Sequence, residues 1–64
     1  MQPAKPPCQL TGTDGNVFAI IGTVQRALRE AGQHDRATAF GERAFGAGSY
    51  DAVLALCFEY VDVQ

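Results

Sequence analysis

The chain has few of the residues from which catalytic and metal sites are usually built. It contains two cysteines, Cys8 and Cys57, and one histidine, His34, and no ligand pair has CxxC or HxxxH spacing. Since a zinc site needs three or four ligands, we expect no bound metal and no cofactor. A catalytic pair would have to join His34 to a cysteine far away in sequence, in a chain with little interior for a pocket. The sequence therefore predicts no enzyme activity.

Both cysteines stand among apolar or strand-like neighbours. The interpretation that we favour is that Cys8 and Cys57 are small core side chains. A disulfide that closes the two ends of the domain is the alternative.

The chain also has no excess of basic residues, and it has no long apolar run. Five Lys and Arg residues stand against seven Asp and Glu residues, which gives a formal net charge of −2. No basic field would therefore recruit nucleic acid over the whole surface. No apolar run approaches the about 20 residues of a membrane-spanning helix, and the N-terminus has no apolar signal segment. The sequence predicts a cytoplasmic protein that does not contact a membrane.

The residues that are present suit one small globular domain. The apolar fraction is 47 %, which is high enough for a packed core, although a chain of 64 residues buries only about 60 % of its surface. Three prolines within residues 1–7 predict a flexible tail there, and residues 8–64 form the domain. Alternation at 61–63 predicts a short strand that pairs with residues 8–11 and ties the two ends together.

The periodicity of the apolar residues predicts a mostly α-helical fold with three short helices, at 15–31, 35–45 and 50–61. The first helix has an apolar stripe with the i, i+4, i+7 and i+11 spacing of one helix face: Val17, Ile21, Val24 and Leu28. Gly32 closes that helix, and the stretch GAGS at 46–49 separates the second helix from the third. The predicted packing face of the second helix is Ala37, Phe40, Gly41, Ala44 and Phe45. Three of these five residues are small, so we expect a packing reason for Gly41.

The most motif-like stretch is GTDGN, residues 12–16. Two glycines around Thr-Asp are typical of a turn. Asp14 or Asn16 suits the N-cap of the first helix. A P-loop would need a closing GK[ST], whereas Gly15 is followed by Asn16 and Val17. A calcium loop would need more oxygen ligands. We therefore interpret the stretch as a turn and a helix cap.

The third helix is apolar nearly all round. We expect one face to contact the other two helices: Tyr50, Leu54, Cys57, Phe58 and Val61. Val53, Leu56 and Tyr60 would then remain uncovered, which is a liability for a protein with a net charge near zero. A two-fold contact between two copies of this helix would bury the patch, as would a protein partner or the chain's own terminal VDVQ. The sequence favours a homodimer or a protein partner through the third helix.

A second candidate surface lies on the first helix, beside its core stripe. Phe18, Gly22, Gln25 and Arg29 follow i, i+4, i+7 and i+11 spacing. Aromatic and arginine side chains are favoured in interface hot spots, so this strip is a candidate for partner binding. The alternative is that Phe18 packs beneath the N-terminal segment as part of the core.

Four stretches, LTGTDGNVFAIIG, ALREAG, AGSYDAVL and the terminal YVDV, resemble a family of small uncharacterised bacterial proteins that phage-like or other mobile elements often encode. The resemblance spans residues 10–63. It implies a bacterial cytoplasmic protein, and small proteins in that context often modulate host machinery, including as inhibitors of defence systems. The family has no assigned activity, so no functional residue follows from the resemblance.

Together, these observations predict a non-enzymatic protein-interaction module. The alternative is a small nucleic-acid-binding protein that uses the four arginines of the first two helices: Arg26, Arg29, Arg36 and Arg43. Acidic residues are interleaved with these arginines, which favours a mixed solvated surface. Nucleic acid is therefore the weaker expectation.

Overall fold

The computed structural model of the chain describes residues 4–10 and 16–64. Within them the fold is mostly helical, with three helices and a small parallel pairing of the two ends, as the sequence predicts. The elements in chain order are β1 (Pro7–Cys8), α1 (Val17–Glu30), α2 (His34–Phe45), α3 (Tyr50–Tyr60) and β2 (Asp62–Val63). Each helix packs against the other two, so the core lies between all three.

Side-chain caps begin α1 and α3. Asn16 Oδ1 accepts a hydrogen bond from the Phe18 N–H at 2.8 Å, and Ser49 Oγ accepts one from the Ala52 N–H at 3.1 Å. Each side chain satisfies a backbone donor that a helix leaves free in its first turn. The predicted cap of the first helix is therefore Asn16; the other candidate, Asp14, lies outside the described residues.

Glycines end α1 and turn the chain into α3. After α1, the Gln33 N–H donates to the Leu28 carbonyl at 2.8 Å, and the Gly32 N–H donates to the Arg29 carbonyl at 2.9 Å. With φ of +79° at Gly32, these bonds form a Schellman motif, a left-handed ending that glycine adopts at low cost. Gly48, with φ of +83°, lies in the turn between α2 and α3.

The two strands join the ends of the domain. Pro7 pairs with Asp62, and Cys8 pairs with Val63, in parallel register. The Asp62 N–H donates to the Pro6 carbonyl at 2.9 Å. The pairing of the two ends that the sequence predicts is therefore confirmed, but the strands are Pro7–Cys8 and Asp62–Val63 rather than 8–11 and 61–63.

Residues 4–7, which the sequence assigns to a flexible tail, contact the domain. Gln33 Nε2 donates to the Ala4 carbonyl at 2.9 Å, and Lys5 Nζ donates to the Phe58 carbonyl at 2.7 Å. Both bonds join residues that are far apart in sequence. Local sequence patterns carry no signal for such contacts, which explains why this part of the tail is predicted as flexible.

The core is made of apolar side chains from all three helices and both strand segments. The largest fully buried ones are Phe40, Leu28, Val24, Val61 and Cys57. The Phe40 ring packs edge-on against the Tyr60 ring, with centroids 5.4 Å apart. Apolar burial of this kind is the main stabilising contribution in a domain of this size.

Candidate functional site

The prediction of an uncovered patch on α3 is wrong, because its three residues are buried within one chain. Val53, Leu56 and Tyr60 are 3 %, 8 % and 9 % exposed. The helix instead exposes Phe58 at 61 % and Tyr50 at 45 %, although both belong to the face predicted as inward. Since α3 is apolar nearly all round, periodicity alone does not define its inward side. Because these side chains are buried within one chain, they leave no patch that a second copy of α3 would have to cover.

The candidate strip on α1 is divided in two by the structure. Phe18, Gly22 and Arg29 are exposed, and Phe18 is 65 % exposed rather than packed as a core residue. Gln25 is half-buried, and its Nε2 donates to the Ala37 carbonyl on α2 at 3.1 Å. Three of the four residues are therefore available to a partner, whereas Gln25 links two helices.

The predicted packing reason for Gly41 is the Gln25 side chain. Gly41 is buried on α2, and a Cβ at this position would overlap Gln25 Nε2. A side chain at Gly41 would have to displace Gln25 and break its hydrogen bond to Ala37. The absence of a side chain at Gly41 makes room for this bond between α1 and α2.

This arrangement predicts a strong coupling between positions 25 and 41. Alanine is favoured over glycine in a helix by about 0.8–1.0 kcal/mol, but in the presence of Gln25 this gain is offset by a lost hydrogen bond worth about 0.5–1.5 kcal/mol. We expect Gly41→Ala to give no stabilisation in the parent chain and about 1 kcal/mol in a Gln25→Ala background. Urea unfolding of the four proteins measures the coupling. An equal gain in both backgrounds would contradict the proposed role of Gly41.

Three aromatic side chains gather where α1 begins, α2 ends and α3 begins. We call Phe18, Phe45 and Tyr50 the aromatic surface; their exposures are 65 %, 65 % and 45 %. The Phe18 and Phe45 ring centroids are 5.9 Å apart, and the ring planes are tilted by 36°. These side chains line a cavity of about 480 Å³ without a charged side chain, and the other lining residues are Val17, Ile21, Ala44, Gly48, Ser49 and Val53.

The turn after α2 sets the geometry of the aromatic surface. The positive φ at Gly48 and the cap at Ser49 start α3 beside the end of α2, which places Tyr50 at the same cavity as Phe45. Sequence reasoning found Phe18 but missed Phe45 and Tyr50, since it placed both in the core. The sequence does hold a signal that both residues are exposed. Ala37, Phe40 and Ala44 occupy the inward face of α2 without Phe45, and Tyr50 is the first helical residue after the N-cap of α3.

A second cavity, of about 680 Å³, lies beside α2 and the end of α3, and its lining includes five charged residues: Lys5, Asp35, Arg36, Arg43 and Glu59. Two of its three cations donate to backbone carbonyls: Lys5 Nζ donates to the Phe58 carbonyl at 2.7 Å, and Arg36 Nη2 donates to the Glu59 carbonyl at 3.4 Å. No basic residue lies in the last turn of α3. Cations from elsewhere therefore satisfy the carbonyls at its negative end.

Two of the four arginines are engaged with Tyr60. The guanidinium carbons of Arg36 and Arg43 lie 4.9 Å and 5.7 Å from its ring centroid, within the range of a cation–π contact. Arg43 Nη1 donates to the Tyr60 hydroxyl at 3.1 Å, and this hydrogen bond raises the pKa of the Arg43 guanidinium. Arg26 pairs with Glu30 at 3.6 Å. These contacts favour a structural role for Arg26, Arg36 and Arg43, to which the alternative prediction assigns nucleic-acid binding.

The two cysteines are free thiols in the hydrophobic core, which confirms their interpretation as small core side chains. Burial raises the pKa of both thiols, and the pKa of Cys57 reaches about 11, with the neighbouring Cys8 as a second cause. A thiol that stays protonated at neutral pH is a weak nucleophile and a weak metal ligand. Within residues 4–10 and 16–64, no three His, Cys, Asp or Glu side chains are grouped as a metal site requires.

Comparison of the chain with known protein families, with curated proteins and with solved structures finds no match. The resemblance to small bacterial proteins of mobile elements therefore stays a prediction.

None of the three described helices has both the length and the apolar character that crossing a bilayer requires.

Proposed function

We propose that this chain is a non-enzymatic protein-interaction module that binds its partner through the aromatic surface. The observation that carries the proposal is the exposure of three aromatic side chains around one uncharged cavity. Aromatic side chains that close a pocket are typical anchors of protein interfaces. The ends of three packed helices fix the backbone at the three residues, so little backbone entropy is lost on binding.

The partner that fits this surface is a different protein rather than a second copy of the chain. A fully covered Phe or Tyr buries about 150–250 Å², so the exposed fractions leave about 260–440 Å² of ring surface. A standard interface buries about 800 Å² on each partner. A two-fold contact of the aromatic surface alone would therefore be small, whereas a larger partner can extend from it along α1 over Gly22 and as far as Arg29. Following the resemblance, we place this partner among the cytoplasmic protein machines of a bacterial host.

Single alanine substitutions test the proposal. Phe18→Ala and Phe45→Ala are each expected to weaken partner binding at least about tenfold, which is the loss that a hot-spot side chain causes. Both variants should remain folded, because most of each ring is already in water. The matched control is Phe58→Ala, which removes a ring of similar exposure from α3, outside the aromatic surface.

The measurement is affinity capture from a bacterial host lysate, treated with nuclease and quantified by mass spectrometry for the parent chain and the three variants. A protein that the parent and Phe58→Ala retain, and that both surface variants lose, supports the proposal. Equal capture by all four chains contradicts it. Capture of nucleic acid that disappears steeply with salt would favour the nucleic-acid alternative instead.

A further inference from the structure

We propose that the partner inserts one uncharged aromatic side chain into the cavity of the aromatic surface. This inference rests on the proposed function and names the chemistry of the residue with which the partner is anchored. It follows from the side chains that line the cavity and from the two hydroxyl groups among them.

The lining of the cavity disfavours a charged anchor. All nine described residues that line it are uncharged, and only two of them, Ser49 and Tyr50, carry a polar side-chain atom. A charged side chain that entered the cavity would lose its water without gaining an opposite charge, which is strongly unfavourable. The side chain that the partner inserts is therefore uncharged.

The charged residues of the neighbouring helix segments lie away from the cavity. Glu42 lines a different cavity, and Asp51 lies on the exposed side of α3, opposite to the buried Val53. Arg29 is separated from Phe18 by about 16 Å along α1, at 1.5 Å per residue. None of these three charges lines the cavity, so none of them changes the chemistry of its occupant.

The exposed rings favour an aromatic anchor over an aliphatic one. The Phe18 and Phe45 ring centroids are 5.9 Å apart, within the about 4.5–7 Å at which aromatic rings attract each other. Both rings are 65 % exposed, so a third ring can pack against them and add ring–ring contacts to the burial of apolar area. The cavity volume of about 480 Å³ is within the about 300–1,000 Å³ of pockets that enclose a small ligand, which leaves room for a ring.

Two hydroxyl groups suit a ring that carries a polar atom. Ser49 Oγ accepts a hydrogen bond from the Ala52 N–H, but its own proton has no acceptor within residues 4–10 and 16–64. The Tyr50 hydroxyl forms no hydrogen bond within the same residues. A buried Trp N–H or Tyr O–H needs a hydrogen-bond partner, and a hydroxyl oxygen accepts such a bond. Tryptophan and tyrosine therefore suit the cavity as well as phenylalanine does.

A random peptide display library, selected on the folded parent chain, tests this inference. Peptides that also bind Phe18→Ala/Phe45→Ala, a variant whose fold is checked by circular dichroism, are removed, and binding to Phe58→Ala is required. We expect the remaining peptides to share a Trp, Tyr or Phe at one position. A shared aliphatic or charged residue without an aromatic one would overturn the inference while the proposed function stands. If no peptide depends on Phe18 and Phe45, both fail.

The most enriched peptide is then synthesised, and its affinity for the parent chain is measured by fluorescence anisotropy. Replacement of its shared aromatic residue by alanine should weaken binding at least about tenfold, and replacement by arginine or glutamate at least as much. A peptide that binds equally well after any of these three replacements would contradict an aromatic anchor.

A matched pair of variants tests whether the cavity must stay uncharged. Aspartate and asparagine both replace serine well as an N-cap, so Ser49→Asp and Ser49→Asn keep the start of α3 and differ from each other only in charge. We expect Ser49→Asp to bind the peptide about tenfold more weakly than Ser49→Asn, because the carboxylate loses water when the ring enters the cavity. Equal or tighter binding by Ser49→Asp would overturn the inference.

Discussion

Phe40→Ala is expected to unfold most of the protein at room temperature. Phe40 is fully buried, and its ring packs edge-on against Tyr60. Truncation of a buried phenylalanine costs about 3–5 kcal/mol, and a single core in a chain of this size rarely supplies more than about 3–5 kcal/mol in total. Circular dichroism and urea unfolding measure the loss.

The matched control is Phe45→Ala, which removes the same side chain from the same helix at an exposed position. We expect it to change the free energy of unfolding by less than about 1 kcal/mol, because the substitution removes mainly the contact between the Phe45 and Phe18 rings. If both variants lost equal stability, Phe45 would be part of the core and the aromatic surface would not be free for a partner.

Leu56→Glu is expected to unfold the single chain rather than to split a dimer. Leu56 is buried between the helices, and a carboxylate without a partner in an apolar core costs several kcal/mol. The introduced carboxyl would have a pKa above its ordinary value of about 4.3, because burial disfavours its charged form. The loss of stability should therefore appear as the pH rises above about 4 and be reduced below it.

Ala55→Glu provides the comparison for Leu56→Glu, because Ala55 is exposed on the same helix. It should stay folded, with a change in stability within about 0.5 kcal/mol. Circular dichroism and light scattering of both variants check this prediction. A folded Leu56→Glu chain with half the mass of the parent would instead support the dimer through α3 that the sequence favours.

The helices could be predicted because their boundaries are local. Asn16, Gly32 and Ser49 act through hydrogen bonds or backbone angles within a few residues of themselves. Such signals depend on the residue type and its immediate neighbours, and both can be taken directly from the sequence. The pairing of the two ends could also be predicted, because the alternation at the C-terminus is a local pattern typical of a strand.

The inward side of α3 was predicted wrongly, although the sequence holds the information. Asp51, Ala55 and Glu59 follow i, i+4 and i+8 spacing and are all exposed. The face opposite to them contains Val53, Leu56 and Tyr60, which are buried. On a helix that is apolar nearly all round, the few charged residues mark the outside more reliably than the apolar residues mark the inside.

The candidate site could be predicted only in part. Phe18 was identified from its position beside the apolar stripe of α1, but Phe45 and Tyr50 join it only through the turn between α2 and α3. Lys5 binds a carbonyl 53 residues away, and both arginines at the Tyr60 ring come from α2 rather than from the helix of Tyr60 itself. Neighbours of this kind are set by tertiary packing, for which the sequence has no local pattern.

The most direct test of the aromatic surface is an amide chemical-shift map of the isotope-labelled chain bound to its captured partner. The proposal predicts the largest shifts at Phe18, Phe45 and Tyr50, with smaller ones at Gly22. Shifts centred instead on Arg36 and Arg43, or on Phe58, would contradict it.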